Sequence, residues 1–271
     1  MWRSILIPLV VAALCIGGFL ACQSVDVPAT QTGSLLINFD NVAGPQNLVL
    51  NSSTYQNSSG ESFTVSKFNY FVSNIRLRRA DGSDYVVPQD NSYFLIEEER
   101  PTSQTLTLGN VPTGSYTGIS FVLGVDSLRS LADISLRTGV LDPGTTDHDA
   151  MYWDWNTGYI FLKLEGRSPA APAAQNNQFL FHVGGFGGGY NGKKTINNLR
   201  TVSLTFGTDQ LQVQTNSTPM LAVRTDALKL LDSPTPIRIA QHPAVMFEPF
   251  SATVASNAPG MFSYHRIQQQ P

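Results

Sequence analysis

Short runs of alternating apolar and polar residues, separated by turn residues, recur along almost the whole chain. Clear examples are residues 34–39, 68–72 and 116–123. Successive side chains of a strand point to opposite faces, so each run predicts a strand that buries one face. Because few segments have helical spacing, the sequence predicts an all-β fold. We expect a two-sheet antiparallel β-sandwich with one or two short helices.

Local signals refine this prediction. Asp81 and Gly82 form a typical hairpin turn within residues 80–83. A change in the phase of alternation near Ser73 predicts a β-bulge. Residues 126–131 predict a short helix capped by Asp126, with its two leucines on one face. Residues 225–231 predict a second helix, capped by Thr225.

The first residues are typical of an export signal. One arginine precedes an apolar stretch over residues 5–20, and Ala21 then precedes Cys22. A small residue before a cysteine at this position resembles the lipobox of bacterial lipoproteins. We therefore predict a lipoprotein signal peptide over 1–21, a lipid on Cys22, a polar tether over 22–32 and one domain over 33–271. The alternative is an ordinary signal peptide with an incidental cysteine.

Cysteine usage agrees with export. The other cysteine, Cys15, lies inside the apolar leader, so the mature domain is predicted to contain no disulfide and to depend on its own core. Gln23, which follows Cys22, does not resemble the acidic signal for retention in the inner membrane. We expect a lipid-anchored protein of the cell envelope, in the outer membrane where the host has one.

Charge and motifs exclude several classes of function. The net charge is only -3 and the basic residues are scattered, whereas nucleic-acid binding needs a basic surface. No paired zinc motif and no Gly-x-Ser-x-Gly nucleophile motif occurs. The acidic run 97–99 is typical of a solvated strand edge, and the glycine run 184–189 is typical of a flexible or closely packed loop.

The most unusual local sequence is 148–161, which is rich in aromatic residues. If it is extended, Met151, Trp153 and Trp155 lie on one face. Such a stripe is often simply an aromatic core ladder. With Tyr159, the two tryptophans could instead form a stacking platform for a carbohydrate.

Four histidines could offer copper an imidazole, and a thioether such as that of Met151 also suits this metal. His182 ends an alternating strand and precedes glycines, which is a good setting for a ligand. His148 is either a ligand or a solvated loop residue. His265 could fold back beside His182 or remain free, and His242 is expected to be structural or exposed.

Six blocks of this chain resemble, in the same order, blocks of the MbnP-like copper-binding family. They are FNYFVSNI at 68–75, GSY at 114–116, LGVDSLR at 123–129, GVLDP at 139–143, MYWDWNTGYIFLKLEG at 151–166 and FLFHVG at 179–184. The resemblance covers most of the predicted mature chain.

This resemblance implies an exported, non-enzymatic β-sandwich protein that binds or handles copper. It also implies a dihaem peroxidase-like partner that, in methanotroph relatives, converts a tryptophan near the metal to kynurenine. By position within the blocks, Trp153 and Trp155 match the tryptophan candidates and His182 matches the family histidine. The chain departs from copper-binding members because no histidine precedes His148. His148, His265 or Met151 could substitute for the missing ligands, and a metal-free structural or interaction lipoprotein is the alternative.

Overall fold

The computed structural model describes residues 31–144, 151–153, 158–189 and 192–269. Sixteen strands and three short α-helices lie within these ranges. No helix in them is both long and apolar enough to cross a membrane. The residues from Gln31 onward belong to one compact unit.

The strands are joined by connections of very different length. In chain order they are β1 (Thr32–Ala43), β2 (Gln46–Asn47), β3 (Thr54–Gln56), β4 (Ser62–Arg79), β5 (Asp84–Val86), β6 (Tyr93–Glu97), β7 (Thr105–Pro112), β8 (Gly114–Leu123), β9 (Tyr152–Trp153), β10 (Gly158–Arg167), β11 (Gln178–Gly184), β12 (Arg200–Thr205), β13 (Leu211–Val213), β14 (Met220–Asp226), β15 (Ala244–Val245) and β16 (Phe262–Gln268). The helices are α1 (Ser127–Ser130), α2 (Leu228–Asp232) and α3 (Ser251–Asn257).

The strands form two sheets. The smaller sheet has the order β16-β14-β1-β2, and β7 also pairs with β1. The larger sheet has the order β12-β8-β4-β10-β11-β15, with the remaining strands attached to this path. Strand β4 is central because it pairs with β8 and β10. Its register shifts between Ser73 and Arg76, where Asn74 has a positive φ of 51°, so the predicted bulge is confirmed.

The expected antiparallel sandwich is only partly correct. The fold is mostly β with few short helices, but both sheets are mixed and one is curled as a half-barrel. Strand β1 runs parallel to β14, with Phe39 opposite Val223, and β11 runs parallel to β15. Alternation along a strand identifies its buried face, but it carries no information about the direction of a partner distant in sequence.

The main core contains the inward side chains of both sheets. Aromatic rings dominate it: Phe39 makes edge contacts with Tyr70, Phe121 and Phe262, with ring centroids 5.7 to 6.3 Å apart. Such edge-to-face pairs stabilise a core beyond the burial of their area.

A second, smaller core covers part of the outer face of the larger sheet. The outward side chains Phe71 and Leu95 contribute to it, as does Phe161. Met151 and Trp153 also belong to this cluster and are 4% and 6% exposed. Met151 and Trp153 therefore pack on the outside of the larger sheet, where they form part of a core.

The helices test two predictions. Helix α1 forms as expected, and the Asp126 carboxylate accepts a hydrogen bond from the backbone nitrogen of Arg129 at 3.2 Å. Its two leucines remain exposed. Helix α2 begins at Leu228, after Ala227, so the prediction that Thr225 caps it is wrong. Thr225 belongs to β14, and its hydroxyl lies 3.1 Å from the Tyr70 hydroxyl instead.

Candidate metal-binding site

Strand β11 places His182 on the outer face of the larger sheet. Phe179, Phe181 and Val183 alternate with it and enter the main core. His182 therefore points away from that core, as the alternation of the strand requires. Its side chain is 13% exposed.

The imidazole of His182 pairs with a carboxylate on the neighbouring strand. Its Nε2 lies 2.6 Å from Oε1 of Glu165 on β10. The hydrogen bond with His182 is the largest influence on Glu165 and, with the positive charges of Lys163 and Lys67, lowers the pKa of its carboxyl below the ordinary value of 4.5. Burial opposes this shift without reversing it.

Further polar side chains continue across this face. Lys163 lies directly opposite His182 on one side and opposite Asn69 on the other, and both Lys163 and Asn69 are buried. Asn69 in turn lies opposite Glu97, which is 2% exposed and pairs with Arg100 at 3.2 Å. The expectation of a solvated acidic edge over 97–99 is thus wrong for Glu97, because a neighbouring arginine compensates its buried charge.

A glycine lets Trp153 pack on the face of β11 that carries His182. A Cβ built on Gly184 would lie 2.7 Å from Cζ3 of Trp153, so the indole packs against the bare backbone of β11. Gly184 and His182 are successive residues on the same face, about 7 Å apart along the strand. Phe247 packs in the same way on Gly185, and its ring meets that of Trp153 at 6.0 Å. The space beside the glycines is therefore filled by aromatic rings.

Met151 lies on the same buried side of the chain as Trp153, as the alternation predicts. Its carbonyl accepts a hydrogen bond from Ile160 at 3.0 Å, which attaches this segment to β10. The ring of Tyr152, which is only partly buried, contacts that of Tyr159 at 5.2 Å and also packs against this cluster. The indole and the thioether thus belong to one cluster on the face that carries His182.

The remaining predicted site residues are not brought to this place. His265 lies in β16 of the smaller sheet, where it is exposed and its Nε2 is 3.2 Å from the guanidinium of Arg266. His242 is half-buried and stacks on Phe250 with ring centroids 3.5 Å apart. His148, Trp155 and Cys22 lie outside the described residues.

The described part of the chain offers one candidate ligand, His182 with its partner Glu165, but no complete metal site. Within those ranges no three side chains of His, Cys, Asp or Glu are grouped so that they could hold one ion. The role of His182 as a ligand stays a prediction. Its partner Glu165 was not singled out from the sequence, although its alternation with Leu164 and Gly166 could have placed it on the outer face.

Comparisons with known proteins address the fold and the family. A family model described as MbnP matches residues 32–247. A solved structure, MbnP from Methylosinus trichosporium, superposes with a TM-score of 0.58 at 17% sequence identity, covering 89% of this chain and 100% of that one. At this identity the match supports the fold alone. The search of curated proteins found no match.

Proposed function

Because the chain belongs to the MbnP family, we propose that it is a non-enzymatic copper-binding or copper-handling lipoprotein of the cell envelope. The observation that carries this proposal is the position of His182. The half-buried imidazole of His182 pairs with the carboxylate of Glu165. Two residues further along the same strand, the indole of Trp153 packs on the backbone of Gly184. Imidazole is a common ligand of copper, and a partly enclosed site limits competition from water.

A copper ion needs donors beyond His182, whose Nε2 already pairs with Glu165. We propose that His148 supplies the next nitrogen, since it lies three residues before Met151 in the sequence and Trp153 packs on Gly184 in the strand that carries His182. The thioether of Met151 is a candidate because it shares a cluster with Trp153. His265 is excluded from this proposal because it lies in the other sheet.

We further propose that Trp153 or Trp155 is the residue that a dihaem peroxidase-like partner would oxidise. Trp153 supports the idea because it packs on Gly184, two residues along the strand from His182. Its burial also weakens the carbohydrate alternative, since a stacking platform needs exposed rings and both Trp153 and Tyr159 are buried.

Membrane attachment is a separate part of the proposal. A lipid on Cys22 would hold the domain at the membrane surface through the short tether that follows it. Gln23, which directly follows Cys22 and is not acidic, favours the outer membrane. Intact mass of the protein isolated from membranes tests the lipid directly, because an acylated Cys22 adds the mass of its acyl chains.

The copper proposal is tested by titrating the purified protein with cuprous and cupric ions. We expect sub-micromolar binding that His182→Ala abolishes. His265→Ala is a matched control, since it removes an imidazole from the other sheet and should leave binding unchanged. Failure of the wild-type protein to bind either ion, with no metal after native purification, would support the metal-free interaction protein instead.

The proposed tryptophan oxidation has its own measurement. Peptide mass spectrometry of the natively expressed protein should show kynurenine in place of Trp153 or Trp155, with one oxygen gained and one carbon lost. Unmodified peptides from cells that also express a dihaem peroxidase-like enzyme would contradict this part of the proposal and leave copper binding unaffected.

A further inference from the structure

The contact between His182 and Glu165 determines more than the position of the ring. The two atoms are 2.6 Å apart, and the side chains are 13% and 22% exposed. A histidine has two nitrogens, and a neutral ring carries one proton that either can hold. The partner of Nε2 therefore decides which nitrogen remains available.

The surroundings of Glu165 indicate where that proton lies. An ionised carboxylate only accepts hydrogen bonds. Lys67 lies directly opposite Glu165 on β4, and Lys163 is two residues away on the same face of β10, so positive charge surrounds this carboxylate. Because Glu165 accepts, Nε2 of His182 must donate, and the lone pair of the neutral ring is then on Nδ1.

We propose that Glu165 is a positioning residue that fixes the ring of His182 and leaves Nδ1 as the nitrogen that takes copper. This inference rests on the proposed copper function and adds the donor atom and its support. Histidine ligands commonly donate their second ring nitrogen to a carboxylate, and loss of that partner lowers metal affinity about 10–100-fold.

The proton position can be measured without metal. Nitrogen-15 NMR of the metal-free wild-type protein, recorded at increasing pH until the ring signals no longer change, reports which nitrogen of His182 carries the proton. We expect it on Nε2. A proton on Nδ1 would overturn the inference, because Nδ1 would then have no lone pair to offer.

Copper affinity tests the positioning role. Glu165→Ala should weaken cuprous binding about 10–100-fold, while Glu165→Gln, whose carbonyl oxygen can still accept from Nε2, should recover part of the loss. Glu99→Ala is the matched control, because Glu99 is an exposed glutamate that pairs with Lys67 at 3.2 Å. Circular dichroism of each variant establishes that it is folded.

Three results of the copper measurements would count against the inference. Wild-type affinity in folded Glu165→Ala would overturn it, as would equal losses in Glu99→Ala and Glu165→Ala. A wild-type protein that binds no copper would overturn the copper role as well. In that case a proton still found on Nε2 would show that the copper proposal failed while the pairing of the two side chains is correct.

Discussion

Gly184 joins the two parts of the candidate site at the scale of a single residue. It stands two positions after His182, and the absence of a side chain lets Trp153 reach the backbone of β11. A Cβ there would also lie 2.5 Å from the carbonyl oxygen of Tyr159, which cannot move freely because it belongs to β10. The glycine is therefore required by a close approach and not by its φ angle.

Gly184→Ala is expected to destabilise the fold by about 1–3 kcal/mol, because added volume in a packed region forces neighbours to shift. Urea unfolding measures the loss, and tryptophan fluorescence should report a changed environment of Trp153. Gly109→Ala is the control, since nothing lies within 4 Å of a Cβ at that position. Equal stability of the two variants would contradict the packing described for Trp153.

Glu98 should make stability depend on pH. Burial is the largest cause that raises the pKa of its carboxyl to about 7 from an ordinary value of 4.5, and the nearby charge of Glu99 adds to it. The folded protein thus holds this proton more tightly than the unfolded chain. The stability that the proton contributes is fully present below pH 4.5 and is lost as pH rises through about 7.

The corresponding variant is Glu98→Gln, which cannot lose a proton. Its free energy of unfolding should fall less than that of the wild type between about pH 5 and about pH 8. Urea unfolding at the two pH values measures the difference. Identical pH dependence in both proteins would show that Glu98 titrates with an ordinary pKa.

At the scale of elements, a buried polar contact joins the two sheets. The hydroxyl of Tyr70 on β4 donates to Oδ1 of Asn41 on β1 at 2.9 Å and lies 3.1 Å from the Thr225 hydroxyl on β14. All three side chains are buried. A buried polar group that loses its partner costs more than the bond itself contributed.

Tyr70→Phe is therefore expected to lower the free energy of unfolding by about 1–3 kcal/mol, because Asn41 and Thr225 lose a partner inside the protein. Tyr85→Phe, whose hydroxyl donates to Asn110 at 3.3 Å on the surface, should change stability far less. Urea unfolding compares the two. If Tyr70→Phe loses no more stability than Tyr85→Phe, the buried contact does not hold the sheets together.

At the scale of the whole molecule, the C-terminal segment completes the main core although the family model ends at residue 247. Helix α3 and strand β16 follow that point, and β16 forms an edge of the smaller sheet. The ring of Phe262 contacts three rings of the main core, those of Phe39, Tyr70 and Phe121. The other buried side chains of this segment include Val254, Ala255, Ala258 and Met261.

A chain ended after Phe247 should not fold cooperatively. A fully buried large side chain contributes about 1.5–3 kcal/mol, and domains are stable by only about 5–15 kcal/mol. A chain ended after Gln268 keeps β16 and is the control. Thermal unfolding followed by circular dichroism compares them, and a cooperative transition in the shorter chain would show that the segment is dispensable.

The sequence by itself determined the features that depend on neighbours along the chain. Alternation placed His182 on the face opposite Phe181, put Met151 and Trp153 on one side, and located the bulge near Ser73. The cap of α1 by Asp126 was also predictable, because a cap needs only the residues of one turn. Family membership likewise followed from blocks of sequence in order.

Only the tertiary structure decided which segments meet. The parallel pairing of β1 with β14 joins residues far apart in the chain, and a local pattern does not encode the direction or register of such a pair. Glu165 and His182 lie on consecutive strands, but the loop between these strands does not reveal their register, and the packing of Trp153 on Gly184 was likewise not readable from the sequence. Periodicity determines which face a side chain takes, whereas its partner depends on packing between distant strands.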